Sequence, residues 1–211
     1  MTDIVDLALF LAAALVVAIT PGPGIFYVAA RTLAGGRSEG FASTLGAGIG
    51  GLVHVVGGAV GVSALLMASA QGFAVVKILG ALYLVWLGIK TLREADAALL
   101  VKPLPTGARH AFRDGIVVEA LNPKTAAFFL AFIPQFISPQ NGHVGLQFLA
   151  LGMISVALNT AADVFVVQLA SSVRGAIAAR PGLLRRIRQA AGATMAGLGI
   201  SLALMRRPAL P

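Results

Sequence analysis

Residues 4–24 read IVDLALFLAAALVVAITPGPG, and this stretch decides how the rest of the chain is interpreted. An apolar run of this length is typical of a helix that crosses a lipid bilayer, which needs roughly 20 such residues. Its end, Pro21-Gly22-Pro23-Gly24, contains two prolines, and proline removes a backbone donor from a helix interior. The beginning of the chain carries Asp3 and Asp6 and no Lys or Arg, whereas a signal peptide begins with positive charge. We therefore predict an uncleaved first membrane helix that is broken along its length.

The whole chain is apolar, with 58% hydrophobic and only 11% charged residues, against about 25% charged in soluble domains. Only helices and closed barrels satisfy the backbone in lipid, and the apolar runs are too long for barrel strands. The sequence therefore predicts an all-α integral membrane protein without a soluble catalytic domain. Six apolar segments serve as its transmembrane helices, at about 4–30, 41–66, 73–92, 112–137, 144–171 and 187–204.

The positive charge of the chain predicts its orientation. The net charge is +8, and twelve of the sixteen Lys and Arg residues follow the first, third and fifth segments. Cytoplasmic loops are rich in Lys and Arg, so these three connections are predicted inside and both termini outside. Arg206 and Arg207 after the sixth segment argue mildly against this orientation. Topology thus explains the charge, and no nucleic-acid partner is expected.

The longest connection contains Lys102-Pro103-Leu104-Pro105 and divides one transporter domain, residues 1–211, into two half-repeats. The halves cover about 1–92 and 112–206, with a cytoplasmic linker at about 93–111. Three spans in each half give the halves opposite orientations, and each half opens with a broken helix. We therefore predict a 3+3 inverted repeat with helices 1 and 4 broken, a pattern that indicates a transporter binding site at the breaks.

Each break is predicted to restart a helix. Gly22 and Pro23 suit the N-cap and first position of one restarted helix, and Asn122 and Pro123 suit those of the other. The positive end of a restarted helix attracts an anion such as an amino-acid carboxylate. The substrate-binding or gating candidates are Pro21, Gly22, Pro23, Gly24, Asn122, Pro123 and Lys124. Kinks that only shape packing are the alternative, and Lys124 could instead pair with a carboxylate or snorkel to the interface.

Ionisable residues inside the predicted spans are candidates for proton coupling or for binding the substrate ammonium. Asp163 is the strongest, because it lies with Asn159 on one polar stripe of the fifth helix. Glu119 precedes the second break by three residues. His54 lies on the glycine-rich face of the second helix and could relay protons. A structural ion pair for Asp163 and a neutral, hydrogen-bonded His54 are the alternatives.

Several motifs occur together in a characteristic order. They are Thr20-Pro21-Gly22-Pro23, the glycine-rich second helix with His54, the run KILGALYLVWLG at 77–88, Leu121-Asn122-Pro123-Lys124, Phe128-Phe129 and Pro134-Gln135-Phe136. In this combination the chain resembles the LysE/RhtB family of amino-acid exporters over essentially its full length. The resemblance implies export of amino acids such as threonine, homoserine or leucine, driven by the proton-motive force. It also implies a multi-pass protein of the bacterial inner (plasma) membrane.

These observations predict a secondary transporter that exports small amino acids from the cytoplasm by proton antiport. No cofactor or metal is expected, and no Walker loop, zinc-binding helix motif or nucleophile elbow is present. Exporters of another small solute or metal ion, and an integral-membrane enzyme, remain the alternatives. The expected partners are the amino-acid substrate, protons and the lipid bilayer. A homodimer is possible through small-residue faces on helix 2 and on helix 6, where they comprise Ala193, Gly197 and Ser201.

Overall fold

The computed structural model describes residues 4–62, 70–93, 105–172 and 181–204, and the regular structure in these ranges is helical throughout. The helices are α1 Ile4–Ile19, α2 Pro23–Gly57, α3 Ala70–Arg93, α4 Ala108–Ala120, α5 Pro123–Ala127, α6 Val144–Ser172 and α7 Pro181–Leu204. Four stretches are long and apolar enough to cross a membrane: Pro23–Gly61, Ala74–Arg93, Ala108–Phe136 and Val144–Ser172. The prediction of an all-helical membrane protein is confirmed.

Large apolar side chains lie both inside and outside the bundle. The interior is dominated by phenylalanine, with Phe10, Phe129 and Phe148 almost completely buried. On the outside, Leu82 is 62% exposed and Phe165 is 68% exposed. An apolar surface of this kind is stable against lipid and not against water. The bundle is therefore built to be surrounded by hydrocarbon.

Helix α2 reverses direction at Gly36. This glycine has φ 76° and ψ −165°, a left-handed backbone conformation that residues with a Cβ rarely adopt. Arg31 and Glu39, on opposite sides of it, lie within 3.6 Å of each other. Residues 23–35 and 37–57 are therefore two helices joined by a one-residue turn. The separate connecting segment predicted between residues 30 and 41 is wrong, because helical structure continues on both sides of Gly36.

The two broken helices run antiparallel along each other. The first comprises α1 and residues 23–35. The second comprises α4, α5, a π-helical turn at Phe128–Phe132 and a 3-10 turn at Ile133–Phe136. Phe10 packs on Phe136 near one end of the pair, and Arg31 donates a hydrogen bond to Thr106 near the other. As a consequence, the two breaks meet near the middle of the bundle.

The remaining helices pack around this pair. Residues 37–57 lie against α4 through Gly46, and α3 and α7 form a pair in which Gly88 meets Gly192. Two predicted boundaries are wrong: α4 begins at Ala108, inside the predicted linker, and α7 begins at Pro181, before residue 187. Lys102, Arg174, Arg180, Arg206 and Arg207, on which the linker and orientation predictions partly rest, lie outside the described residues.

Candidate functional site

Both breaks have the predicted capping geometry. Helix α1 ends at Ile19, Gly22 is the extended N-cap of α2, and Pro23 occupies its first position. At the second break, the Asn122 side chain accepts a hydrogen bond from the Lys124 amide at 3.1 Å. Pro lacks an amide hydrogen, so the first helical position suits it. The predicted caps are thus confirmed, and Pro21 lies half-buried between the two pieces of the first broken helix.

Lys124 crosses from the second break to the first. Its ammonium donates hydrogen bonds to the carbonyl oxygens of Val17 at 2.9 Å and Thr20 at 2.8 Å. These carbonyls belong to the end of α1, where the last turn leaves backbone acceptors without helical partners. Lys124 is only 4% exposed, so it does not snorkel. Among the described residues it has no carboxylate within ion-pair distance, and the predicted pairing with Glu119 or Asp163 is not formed.

Glu119 is held at the opposite side of the same junction. Its carboxylate accepts hydrogen bonds from the Asn122 amide at 2.8 Å and the Thr125 hydroxyl at 2.6 Å. It also lies against Gly24, where a Cβ would collide with the carboxylate oxygen. A negative group beside the first turn of α2 is favoured by the positive end of that helix. The second broken helix therefore supplies a cation to the end of α1 and an anion to the start of α2.

His54 reaches the second break from the second limb of α2. Its Nε2 donates a hydrogen bond to the backbone carbonyl of Glu119 at 2.9 Å, at the end of α4. Its ring lies 5.7 Å from the Phe129 ring. Lys124 and His54 therefore act alike. Each donates from one predicted half to backbone carbonyls in the broken helix of the other half. This geometry fits the hydrogen-bonded alternative for His54 and leaves its predicted proton relay untested.

Asp163 differs from these groups because it makes no hydrogen bond with any described residue. It is 6% exposed and lines a small cavity together with Glu119, Thr125, Asn159 and Thr160. The cavity volume is about 10 Å³, which is close to the minimum for a single water. Asn159 lies one helical turn before Asp163 on the predicted stripe. Its side-chain amide donates a hydrogen bond to the backbone carbonyl of Ser155 at 3.0 Å. An amino acid cannot reach Asp163 in this conformation.

A larger cleft of about 420 Å³ lies on another side of the breaks. Its walls come from α2, α3, α5 and α7: Gly22, Pro23, Phe26, Tyr83, Trp86, Leu87, Lys90, Thr91, Pro123 and Met195. The sequence interpretation missed the α3 residues and Thr125, because it weighed only helix breaks and charges deep in apolar runs. Tyr83 and Trp86, close together in a chain with 7% aromatic residues, were the available signal.

Metal binding finds little support in this arrangement. Within the described ranges, no three His, Cys, Asp or Glu side chains lie close enough to hold a metal ion. The site instead combines three features. They are two helix breaks, a carboxylate without a hydrogen-bond partner among the described residues, and a cleft that is large enough for a small organic molecule. Such a constellation at a helix junction inside a membrane is suited to binding and moving a small polar solute.

Comparison with known proteins supports that interpretation. The model of the family described as LysE type translocator matches residues 15–206. The chain belongs to the LysE-type translocators. An uncharacterized membrane protein of Vibrio cholerae is 30% identical over 92% of this chain and 94% of its own length. A homoserine/homoserine lactone efflux protein of Salmonella typhimurium is 32% identical over 71% of the chain and 73% of its own length.

A leucine efflux protein of Salmonella choleraesuis is 30% identical to this LysE-type translocator over 67% of the chain and 68% of its own length. No solved structure matches the chain. The predicted family is confirmed by the match of the family model. Because the LysE-type translocators are a family of transporters and not of enzymes, the chain is a transporter. The chain is a multi-pass membrane protein whose relatives are bacterial membrane proteins.

Proposed function

We propose that this translocator exports small amino acids of the threonine, homoserine and leucine type across the bacterial inner membrane by proton antiport. The observation that carries the proposal is the meeting of two antiparallel broken helices beside Asp163, a buried carboxylate to which no described residue donates a hydrogen bond. The relatives named as homoserine and leucine efflux proteins agree with this substrate class.

The proposed architecture is six membrane crossings arranged as an inverted repeat of two three-helix halves. Described residues beside the three connections that the charge pattern assigns to the cytoplasm contact one another. Arg37 donates a hydrogen bond to Ser171 at 3.1 Å, which joins the α2 turn to the end of α6. Arg31 donates to Thr106 at 2.7 Å, which joins the same turn to the start of α4. These contacts support the grouping of the α2 turn, the start of α4 and the end of α6 at one end of the bundle.

Coupling follows from competition for one carboxylate. A buried charge without partners is costly, so Asp163 is stable only with a proton or with a bound cation. The ammonium of an amino acid and a proton cannot occupy it together, and this exclusion produces antiport. One proton moving down 100 mV supplies about 2.3 kcal/mol, enough for a gradient of roughly 50-fold when one charge moves per substrate. Glu119 is the second candidate for this role.

Substrate access requires the breaks to separate. Lys124 is bonded to the opposite half, Glu119 is bonded within its own half, and the cavity at Asp163 holds no more than a water. We therefore propose that the halves rock about the junction. When they part, Pro21, Gly22, Pro23, Gly24, Asn122, Pro123 and Lys124 become available to bind the substrate carboxylate or to act as the gate.

The test is uptake of labelled threonine, homoserine, leucine and lysine into inside-out vesicles energised by a proton gradient. We expect accumulation that collapses with an uncoupler. Asp163→Asn should abolish uphill transport while substrate exchange continues, because a permanent amide cannot lose a proton. Asp6→Asn, which changes an exposed carboxylate on α1, is the control. Full uphill transport by the Asp163 variant would remove this residue from the mechanism.

A homodimer is a separate proposal. Ala193, Gly197 and Ser201 are exposed along α7, and no atom lies within 4 Å of the Gly197 Cβ position. Such a small-residue face permits close approach of a second helix in lipid. The natural chain has no cysteine. Gly197→Cys should therefore give a disulfide-linked dimer in membranes if this face is the interface, and monomer only if it faces lipid.

A further inference from the structure

The 420 Å³ cleft beside the breaks has one wall made by a single face of α3. The rings of Tyr83 and Trp86 lie 5.5 Å apart at an interplanar angle of 30°. One turn further on, the Lys90 ammonium lies 5.3 Å from the centre of the Trp86 ring. A cation at this distance is attracted by the face of the indole, which holds the Lys90 side chain along the cleft.

The opposite wall comes from both predicted halves. Gly22 and Pro23 belong to the first break and Pro123 to the second, and Met195 of α7 contributes a side chain that is 1% exposed. A molecule in the cleft therefore contacts both pieces of the breaks at once. Pockets for small ligands usually measure about 300–1,000 Å³, so the volume suits a single amino acid with some bound water.

The charge of the cleft discriminates between classes of amino acid. Among the described residues that line it, Lys90 is the charged one and none is a carboxylate. A lysine ammonium attracts the carboxylate that every amino acid carries and repels a second cation on the side chain. The aromatic rings, Leu87 and Met195 offer apolar surface to an uncharged side chain.

We propose that this cleft is the substrate chamber, and that it selects amino acids with uncharged side chains and rejects lysine and arginine. The inference rests on the proposed export function and narrows its substrate class. Trp86 and Tyr83 hold the side chain of the substrate, and Lys90 draws its carboxylate toward the breaks. Basic amino acids are excluded by charge and not by size.

The first test measures competition in energised inside-out vesicles, with labelled leucine as the probe and unlabelled leucine, homoserine, lysine and arginine as competitors. Leucine and homoserine should compete and the basic amino acids should not. Lys90→Glu should raise the KM for leucine roughly tenfold, because reversal of a partly exposed charge changes attraction into repulsion. It should also allow arginine to compete. Arg93→Glu, the same change at an exposed residue outside the cleft, should leave both measurements unchanged.

Two failures are distinguishable in this experiment. If the wild-type protein accumulates no amino acid, the proposed function fails. If basic and uncharged amino acids compete equally with labelled leucine, or if Lys90→Glu behaves as Arg93→Glu does, the cleft is not the selective chamber although export stands.

A second measurement does not depend on the activity of a charge-reversed protein. Thr91 lines the cleft, and the natural chain has no cysteine, so Thr91→Cys introduces a single reactive thiol. Leucine should slow its labelling by a water-soluble thiol reagent several-fold, and arginine should not. Equal labelling rates with and without leucine would overturn the assignment of the cleft.

Discussion

Lys124 connects two helices that are about a hundred residues apart in the chain. A buried lysine is tolerated here because two backbone carbonyls at the end of α1 replace its water ligands. Removing the ammonium leaves Val17 and Thr20 with buried acceptors that have lost a charged donor. The role of Lys124 in this conformation is therefore to hold the first break, whatever it contacts during transport.

Lys124→Met tests that role, because methionine keeps the length of the side chain and removes the donor. We expect the variant to be destabilised by about 2–4 kcal/mol, the usual cost of unpaired buried groups that lose a charged partner. Thermal unfolding in detergent, followed by size-exclusion chromatography, measures the change. Lys90→Met, which removes an exposed ammonium, is the matched control. Equal stability of both variants would show that the two hydrogen bonds contribute nothing.

The Glu119 carboxylate lies so close to Gly24 that it leaves no room for a side chain there. Gly24→Ala would place a methyl group onto the carboxylate oxygen and displace Glu119 from Asn122. We expect at least a tenfold loss of export from this shift of the junction. Gly24→Ala combined with Glu119→Asp should recover part of the activity, because aspartate is one methylene shorter. Gly57→Ala, where the added carbon meets open space, is the control.

A rescue that fails in both vesicle transport and thermal stability would mean that Gly24→Ala does not act through Glu119.

At the scale of single residues, the sequence predicts contacts between neighbours in the chain. Asn122 and Pro123 could be assigned to an N-cap because capping depends on neighbours in the chain. The acceptors of Lys124 and the contact between Gly24 and Glu119 could not, because they depend on how two distant helices are aligned.

Among the elements, α2 shows how a loop can be reduced to one residue. The sequence suggested a connection of about ten residues, because polar residues and glycines cluster after residue 30. In the structure these residues are helical on both sides of Gly36. Glu39 is buried there, and it accepts hydrogen bonds from the amides of Thr106 and Gly107 at 2.9 and 2.7 Å. Because the Glu39 carboxylate finds its partners in the segment just before α4, this part of the chain does not need a solvated loop.

Glu39→Ala should consequently destabilise the end of the bundle that contains the α2 turn. The variant leaves two amides without their acceptor and Arg31 without the carboxylate at 3.6 Å. Breaking a buried ion pair from one side costs about 3–5 kcal/mol, so the unfolding temperature should fall clearly. Ser38→Ala, at an exposed neighbour, is the control. An unchanged unfolding temperature for Glu39→Ala would mean that this end is held by packing alone.

Across the whole molecule, the sequence predicted an all-helical membrane protein and the place of both breaks, because hydropathy and proline act along the chain. It could not predict that Tyr83, Trp86 and Lys90 of α3 would face the breaks, because the side of a lipid-facing helix that turns inward depends on its partner, α7. The motion of the halves relative to each other stays a prediction. That motion is the part of the proposal on which the coupling depends.

A disulfide across the halves tests the motion directly. Gly48 in the second limb of α2 faces Thr160 in α6, and the Cβ position of Gly48 lies 3.3 Å from the Thr160 hydroxyl. The Thr160 Cβ is one bond away from that oxygen, so the two Cβ positions are close enough for a disulfide, whose Cβ atoms are typically about 3.5–4.5 Å apart. In a chain without natural cysteines, Gly48→Cys with Thr160→Cys should cross-link under oxidation and stop export if the halves rock. A reductant should restore transport, and each single variant should be insensitive to oxidation. Because a linked protein that still exported at the wild-type rate would have to work without separating these helices, that result would replace the rocking of halves by a smaller movement at the breaks.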